Sequence, residues 1–289
     1  MIELINGVSK CVLRPDIGGS ILSWHYDGQS MFRPVRDAGK SEPKATDMGC
    51  FPLAPFSNRI ADGRFNWASK PYQLPLNAPP EPHAHHGIGW QSPWRVVKLT
   101  DHAAVLSLEH SDLDKWPWPF GVRQEIDLGP DRLTIGLTLT NLGSDEMPGG
   151  LGIHPFFASK SAELHFRAAT IWENDARKIP ITKKPVAGQY DFTNPRIIED
   201  QDIDHVYSDW PGQALIAWQE QRHQIRLSSE VGASVLYIPK GGDFFCLEPV
   251  SHITNALNMP DCSLPMQSIA PGVSYKASFV FEVMLRPLT

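Results

Sequence analysis

Two ionisable residues set among apolar neighbours are the strongest chemical signals in this sequence. Glu248 lies in the run FFCLEPV, and His154 lies in the run GIHPFF. Apolar surroundings desolvate a carboxylate, which raises its pKa toward the range of a general base. The same surroundings can keep an imidazole neutral or let it titrate near neutral pH. Both residues are therefore candidates for acid–base catalysis. The alternatives are a surface glutamate at a strand end and a core histidine bonded to a backbone carbonyl.

Three closely spaced histidines, His83, His85 and His86, raise the question of a metal site, with Glu81 and Asp62 as further ligands. The sequence contains neither H-E-x-x-H nor a Cys/His zinc spacing. The Gly-Ile-Gly that follows His86 is better suited to bringing backbone close to a bound small molecule. We therefore predict no metal, and the sequence supplies no motif for a nucleotide or another cofactor.

Asn58 and Arg59 lie in a third polar segment, FPLAPFSNRIADGRF, which is framed by proline and phenylalanine. Arg59 offers a planar fork of N–H donors that could bind hydroxyl groups or stabilise a developing oxyanion, and an ordinary salt bridge is the alternative. Nine tryptophans, Trp90 among them, provide aromatic faces that can stack on the apolar face of a pyranose. Because most tryptophans in a β-protein serve packing, this feature is only weakly specific for sugars.

The segments between these motifs have the pattern of short β-strands, with 22 glycines and 26 prolines recurring at short intervals. Leu133, Ile135, Leu137 and Leu139 share one parity, which places them on one face of a strand. The Pro-rich segment 71–82 is predicted to be an ordered surface loop, because proline cannot donate to the ladder of a central strand. The predicted strands are Trp94–Leu99, Ala104–Leu108, Val122–Leu128, Arg132–Leu139, Ala214–Trp218 and Ser234–Ile238.

Regular strands with few long helical periodicities indicate an all-β fold, a large antiparallel β-sandwich, rather than strand–helix alternation. The length of 289 residues allows a sizeable core, and we predict a single domain over residues 1–289. One concave face of such a sandwich is free to hold a ligand.

Composition argues against several classes of function. The formal net charge is −6 and the basic residues are scattered, so we predict no nucleic-acid or membrane partner. The sequence has no apolar stretch of ~18 residues, and MIELINGVSK lacks the features of a signal peptide. Cys11, Cys50, Cys246 and Cys262 show no C-x-x-C spacing. These observations favour a cytoplasmic protein with reduced thiols.

Together, four segments resemble the aldose 1-epimerase (galactose mutarotase) family in order, spacing and residue type. They are FPLAPFSNRIADGRF, HHGIGW, GLGIHPFF and FFCLEPVSHITNALN, and DQDIDHVY carries Asp204 where family members have a sugar-binding aspartate. The resemblance covers roughly residues 47–258. It implies a galactose mutarotase-like supersandwich that binds a monosaccharide on its open face without a cofactor, as a monomer or homodimer.

The resemblance also implies roles for individual residues. Glu248 would be the general base and His154 the general acid that open the hemiacetal of a free aldose and so interconvert its α and β anomers. His86 would bind the region of the ring oxygen or a neighbouring hydroxyl. The residues expected to contact the sugar are Arg59, His86, Asp204, Asn58 and Trp90.

Three alternative functions stay open at this point. The weakest is a lyase or hydrolase on a related sandwich, with Tyr190, Tyr207 or Tyr237 as the acid. A hexose-6-phosphate 1-epimerase of the same fold would need several cationic donors for the phosphate dianion, which makes it the weaker choice. A non-catalytic carbohydrate-binding protein would keep the aromatic residues and Arg59 but could dispense with the acid–base pair. Galactose, glucose, arabinose and fucose are all compatible with the motifs.

Overall fold

β-Strands form nearly all of the regular structure of this protein. A computed structural model describes residues 1–35, 42–198, 201–259 and 263–286. Within these ranges the helical structure consists of five single 3-10 turns, at Ala45–Asp47, Ala61–Gly63, Gly89–Gln91, Gly188–Tyr190 and Ala256–Asn258.

Twenty-six strands follow one another along the described residues. Those of the first half are β1 (Ile2–Asn6), β2 (Ser9–Arg14), β3 (Ser20–Tyr26), β4 (Gln29–Ser30), β5 (Cys50–Leu53), β6 (Arg59–Ile60), β7 (Arg64–Trp67), β8 (Lys70–Gln73), β9 (Ala84–His85), β10 (Arg95–Leu99), β11 (Ala103–His110), β12 (Phe120–Leu128) and β13 (Arg132–Asn141). Those of the second half are β14 (Met147–Gly149), β15 (Gly152–Ala158), β16 (Ala162–Phe166), β17 (Thr170–Asn174), β18 (Pro180–Pro185), β19 (Arg196–Ile197), β20 (Ile203–Ser208), β21 (Gln213–Trp218), β22 (His223–Ser229), β23 (Ala233–Ile238), β24 (Phe244–Val250), β25 (Gln267–Ile269) and β26 (Ser274–Leu285).

Two large antiparallel sheets contain most of these strands. The larger sheet has the order β1-β2-β3-β5-β15-β24-β23-β20-β17-β18, with β4 paired to β3. The smaller sheet has the order β10-β11-β12-β13-β26-β22-β21-β16-β19. Three two-stranded ribbons, β6–β9, β7–β8 and β14–β25, complete the described strands.

The two sheets pack face to face, which confirms the predicted β-sandwich. Trp24 of the larger sheet meets Phe281 of the smaller one at a ring-centroid distance of 6.0 Å. Phe157 and Trp218 make a second contact of this kind at 6.5 Å. The buried apolar side chains of both sheets form one cluster. A single core of this size agrees with one domain, which stays a prediction for the full range 1–289.

Buried and partly exposed side chains alternate along β13, as predicted. Leu133, Ile135, Leu137 and Leu139 are at most 1% exposed and face the sandwich interior. All six predicted strands are present, with ends that differ by a few residues. The segment 71–82 is not a loop throughout, because Pro71 belongs to β8 and pairs with β7. This short ribbon lies outside both large sheets, where the missing proline N–H interrupts no central ladder.

Two adjacent strands of the larger sheet, β15 and β24, are buried along nearly their whole length. On the sandwich side, Phe157 of β15 contacts Phe245 of β24 at 5.4 Å. Because successive side chains of a strand point to opposite faces, residues of the other parity face away from the sandwich core. That second face carries His154 and Glu248, and it is covered by loops rather than by the smaller sheet.

Three cysteines, Cys11, Cys50 and Cys246, are buried free thiols, and Cys262 lies outside the described residues. Across the described ranges, no helix is long and apolar enough to span a membrane. The cytoplasmic location and the monomer or homodimer stay predictions.

Candidate active site

The two catalytic candidates lie opposite each other on neighbouring strands. In the β15–β24 register, Phe156 pairs with Cys246. Moving two residues along each strand from that pair, in opposite directions, brings His154 opposite Glu248. The two side chains meet with His154 Nε2 at 3.3 Å from Glu248 Oε1. A proline follows each of the two residues and supplies no N–H to the ladder there. The contact is therefore a cross-strand pair positioned by the sheet itself.

Burial decides where the protons of this pair reside. The ring of His154 contacts the rings of Phe51 and Phe156, each at a centroid distance of 4.6 Å. The side chain of Glu248 is only 2% exposed. Burial lowers the pKa of His154 to about 3 and raises the pKa of Glu248 well above its ordinary value. At neutral pH the imidazole of His154 is therefore uncharged, and burial shifts Glu248 toward its protonated, uncharged form.

The β6–β9 ribbon brings Asn58 and His86 to the same site. Asn58 precedes Arg59 and His86 follows His85, the two residues that pair across the ribbon. Asn58 and His86 form reciprocal hydrogen bonds. His86 N–H donates to the Asn58 carbonyl at 2.8 Å, and Asn58 N–H donates to His86 Nδ1 at 2.9 Å. Asn58 and His86 have φ angles of 58° and 57°. Such backbone costs of order ~1–3 kcal/mol and persists where surrounding contacts enforce it, often at functional sites.

The hydrogen bond at Nδ1 determines the tautomer of His86. A ring nitrogen that accepts a backbone N–H is unprotonated, so in the neutral ring Nε2 carries the proton. Burial lowers the pKa of His86 well below its ordinary value, which keeps the ring neutral. His86 therefore presents a hydrogen-bond donor at Nε2.

This tautomer bears directly on the question of a metal. Ligand atoms of His86, His154 and Glu248 lie within 4.8 Å of one another, and these three are the only such group among the described residues. A metal ligand must be deprotonated at the coordinating atom. With Nδ1 engaged and Nε2 protonated, His86 does not fit that requirement. His83, another of the sequence candidates, accepts from Asp62 N–H at Nδ1 and contacts the Arg177 carbonyl through Nε2 at 3.1 Å.

Arg59 is held by three side chains. Nη1 donates to Asn58 Oδ1, Nε donates to Glu81 Oε2 and Nη2 donates to Asp204 Oδ2, each at 3.2 Å. Asp204 lies in β20, and its Oδ2 also forms an ion pair with Lys178 Nζ at 3.0 Å. Although burial acts to raise it, the charges of Arg59 and Lys178 hold the pKa of Asp204 below its ordinary value. This part of the site is therefore a network of ionised groups.

A cavity of about 430 Å³ lies beside these groups. That volume falls within the ~300–1,000 Å³ usual for small-molecule sites and suits a ligand the size of one sugar. Trp90 forms part of the wall, stacked on Phe51 at 5.6 Å, and its Nε1 donates to the carbonyls of His85 and Gly87. Other wall residues include His86, His154, Phe156, Tyr237, Arg33 and His85.

Comparison with known proteins decides the family. The profile of the aldose 1-epimerase family matches residues 1–282. The chain belongs to the aldose 1-epimerase family. Among the relatives of this epimerase-family protein, the uncharacterized protein YphB of Escherichia coli K12 is 32% identical over 279 residues, which is 93% of each chain. The uncharacterized protein YihR of the same organism is 26% identical over 165 residues, 54% of this chain and 53% of YihR.

Solved structures agree with this assignment. A protein from Escherichia coli K12, provisionally described as an aldose 1-epimerase, superposes with a TM-score of 0.90 at 29% identity and covers 98% of both chains. A galactose mutarotase-like protein from Clostridium acetobutylicum superposes with a TM-score of 0.85 at 20% identity, over 98% of this chain and 95% of that one. The galactose 1-epimerase of Lactobacillus acidophilus superposes with a TM-score of 0.78 at 17% identity, over 98% of this chain and 93% of that one. The last two likenesses concern the fold alone.

The residues that the sequence analysis selected for the epimerase site converge in the structure. His86, His154 and Trp90 line the cavity. Glu248 contacts His154, and Arg59 and Asp204 bind each other. Asn58 is buried, and its side-chain oxygen accepts from the backbone N–H and from the guanidinium of Arg59. Asn58 supports Arg59. Like Arg59, Asp204 and Glu248, it lies beside the cavity and is not among the residues that line it.

Two cationic residues near the cavity were not selected from the sequence. The guanidinium of Arg33 lies 4.0 Å from the ring centroid of Phe156 and donates to the carbonyls of Thr46 and Met48. Lys178 comes from the turn between β17 and β18. Neither residue lies in a motif segment, so only the paired strands show that they reach the site. Glu81, noted above only as a metal-ligand candidate, instead binds Arg59.

Proposed function

We propose that this protein is an aldose 1-epimerase that interconverts the α and β anomers of a free monosaccharide, with Glu248 as the base and His154 as the acid. The observation that carries the proposal is the contact of 3.3 Å between His154 Nε2 and Glu248 Oε1 beside a sugar-sized cavity. The anomeric hydroxyl oxygen and the ring oxygen are bonded to the same carbon. The group that takes a proton from one and the group that gives a proton to the other must therefore lie close together.

One shared proton is sufficient for the whole cycle. When the proton moves from the Glu248 carboxyl to His154, the carboxylate can take the proton of the anomeric hydroxyl while the imidazolium protonates the ring oxygen. The bond between C1 and the ring oxygen breaks, and the free aldehyde rotates about C1–C2. Ring closure reverses both transfers on the other face of the carbonyl, so the pair ends with the single proton it began with. Acid–base catalysis of this kind contributes ~10²–10⁴-fold to the rate.

The neighbouring groups suit this chemistry. The Nε2–H of His86 is a neutral donor that can bind the ring oxygen region as negative charge develops there. Arg59 and Asp204 offer charged hydrogen-bond partners for hydroxyl groups, and these groups are already oriented by their mutual contact at 3.2 Å. No step of the reaction requires a redox change or the transfer of a group.

The cationic groups also favour a free sugar over a hexose 6-phosphate. Arg59 is bound by Glu81 and Asp204, and Lys178 is bound by Asp204. Arg33, in the cavity wall, donates to two backbone carbonyls. A phosphate dianion would have to compete with these acceptors for its donors. We therefore expect glucose to be a better substrate than glucose 6-phosphate when both are measured in one anomer-equilibration assay.

The proposal is tested with purified anomers of galactose, glucose, arabinose and fucose. Equilibration is followed by polarimetry or NMR with and without the protein. We expect acceleration for at least one sugar. Failure to accelerate any of these sugars would overturn the proposed activity, and sugar binding without acceleration would favour a carbohydrate-binding protein.

A further inference from the structure

Lys178 lies beside the candidate sugar site, although it belongs to none of the motif segments of the sequence. It lies in the turn between β17 and β18, and its Nζ is 3.0 Å from Asp204 Oδ2. The same ammonium lies 5.6 Å from the ring centroid of Tyr237, which is part of the cavity wall. The side chain is 48% exposed, so the ammonium stands at the rim of the cavity and is not buried within it.

The turn that carries Lys178 is held by its own hydrogen bonds. Asp175 Oδ1 accepts from the N–H of Arg177 at 2.8 Å and of Ile179 at 2.9 Å. Lys178 N–H donates to the Asp175 carbonyl at 3.0 Å, and Lys178 itself has a φ of 64°. These bonds fix the turn in a conformation that a residue with a side chain rarely adopts.

Contacts with a distant part of the chain anchor the turn against the site. The carbonyl of Arg177 accepts from Nε2 of His83, which is fully buried, at 3.1 Å. The guanidinium of Arg177 binds the carboxylate of Asp62. Lys178 thus lies between an anchored neighbour and a buried one, Ile179, so the backbone from which its side chain extends is held in place before any ligand arrives.

Asp204 and Lys178 together form a donor and an acceptor for one hydroxyl group. Oδ2 of Asp204 binds both Arg59 and Lys178. Oδ1 is then the oxygen that can accept a hydrogen bond from a substrate hydroxyl. An ammonium has three N–H donors, of which the contact with Asp204 uses one. A hydroxyl can donate to Oδ1 and accept from Nζ at the same time.

The position of this pair points to a hydroxyl far from the anomeric carbon. β20, which carries Asp204, lies two strands from β24, which carries Glu248. At about 4.8 Å per strand, the two strands are roughly 10 Å apart. If Glu248 acts at C1, the donor–acceptor pair faces the opposite side of the pyranose ring.

We propose that Lys178 is a specificity-determining residue that, with Asp204, binds a hydroxyl on the side of the sugar opposite C1. The proposal rests on the proposed epimerase function. It implies that the enzyme distinguishes sugars by the presence and the orientation of that hydroxyl. A site built to bond a hydroxyl discriminates strongly against an analogue that lacks it.

The test compares the parent protein with Lys178→Ala and Lys178→Gln, and with Lys184→Ala as the control. Lys184 lies on the same hairpin but pairs with Glu173, so it shares the exposure of Lys178 without its position at the cavity. Each protein is assayed for anomer equilibration with a hexose and with its single deoxy derivatives. A charged hydrogen bond of about 1.5–3 kcal/mol predicts that Lys178→Ala raises KM by roughly tenfold or more. We expect kcat to change little and Lys184→Ala to behave as the parent.

The deoxy sugars identify the contact. In the parent, removal of the recognised hydroxyl raises KM strongly, and in Lys178→Ala the same removal has a much smaller effect, at that position only. Equal deoxy penalties in both proteins, or a KM that Lys178→Ala leaves unchanged, would overturn the role of Lys178 while the epimerase function stands. A parent that accelerates no sugar would overturn the proposed function and this inference together. If Lys178→Ala fails to fold, Lys178→Gln carries the same comparison.

Discussion

The candidate active site combines two polar regions, and only one of them compensates the burial of its ionisable groups with opposite charges. His154 and Glu248 are enclosed by aromatic and apolar neighbours, and both pKa values move toward the uncharged forms. Arg59 and Asp204 are also largely buried, but each contacts a group of opposite charge, and the pKa of Asp204 moves toward the ionised form. Similar burial thus favours uncharged groups in one region and ionised groups in the other.

This difference separates chemistry from binding. A buried acid or base without a countercharge favours its uncharged form, and a perturbed pKa of this kind is common among catalytic residues. A buried ion pair cannot easily titrate, but it keeps its donors and acceptors oriented. We therefore expect substitutions in the first region to lower kcat, and substitutions in the second to raise KM.

The largest effect should come from Glu248→Gln. The amide keeps the shape of the side chain but cannot accept the proton of the anomeric hydroxyl. We expect a loss of roughly 10²–10⁴-fold in kcat with a folded protein. Anomer equilibration by NMR and a circular-dichroism spectrum measure the two quantities. A variant that equilibrates sugar as fast as the parent would show that Glu248 is not the base.

A smaller effect is expected for Asp204→Asn. The change removes the countercharge of Arg59 and Lys178 and weakens one acceptor for a sugar hydroxyl. A loss of about 1.5–3 kcal/mol corresponds to roughly 10–100-fold, mainly in KM. Initial rates over a range of sugar concentrations separate KM from kcat. A drop confined to kcat would place Asp204 in the chemistry and remove the contrast between the two regions.

The stability of Glu248→Gln should depend on pH in a defined direction. In the parent, the folded-state pKa of Glu248 is raised, so the unfolded chain releases its proton first as pH rises above the ordinary value of 4.5. The parent therefore loses stability with rising pH up to the folded pKa, and the glutamine variant does not share this loss. The difference in free energy of unfolding should grow by up to ~1.4 kcal/mol per pH unit in favour of the variant. Urea unfolding at several pH values checks this, and a constant difference would contradict the raised pKa.

The smallest expected effect is the pH dependence of kcat/KM near the ordinary pKa of histidine. The pair holds one proton between the pKa of His154, about 3, and the raised pKa of Glu248. The pair would bind a second proton only near the pKa of His154, about 3. We therefore expect no acid limb at about pH 6.5, the ordinary value for histidine. A tenfold fall in kcat/KM per pH unit below that value would mean that the two residues do not share a proton in this way.

Part of this site could be predicted from sequence, and particular residues show why. Glu248 and His154 stand out because each interrupts an apolar strand, and the same parity rule that buries Leu137 places them on the second face. Lys178 and Arg33 could not be found in this way, because contacts between distant parts of the chain bring them to the site. Arg33 N–H donates to the Phe156 carbonyl, and Lys178 binds Asp204. The protonation of His86 also depends on a contact with Asn58, 28 residues away, that no local pattern reveals.

The pairing of β15 with β24 ties the proposed acid–base pair to the alignment of the whole sandwich. Phe157 and Phe245 pack into the core from the same two strands that present His154 and Glu248 on the reverse side. Inserting or deleting one residue in either strand would exchange the two sides, sending an acid–base group into the hydrocarbon interior and a phenylalanine toward the sugar. The protein therefore cannot lose the alignment of His154 with Glu248 by a small slippage without also disrupting its fold.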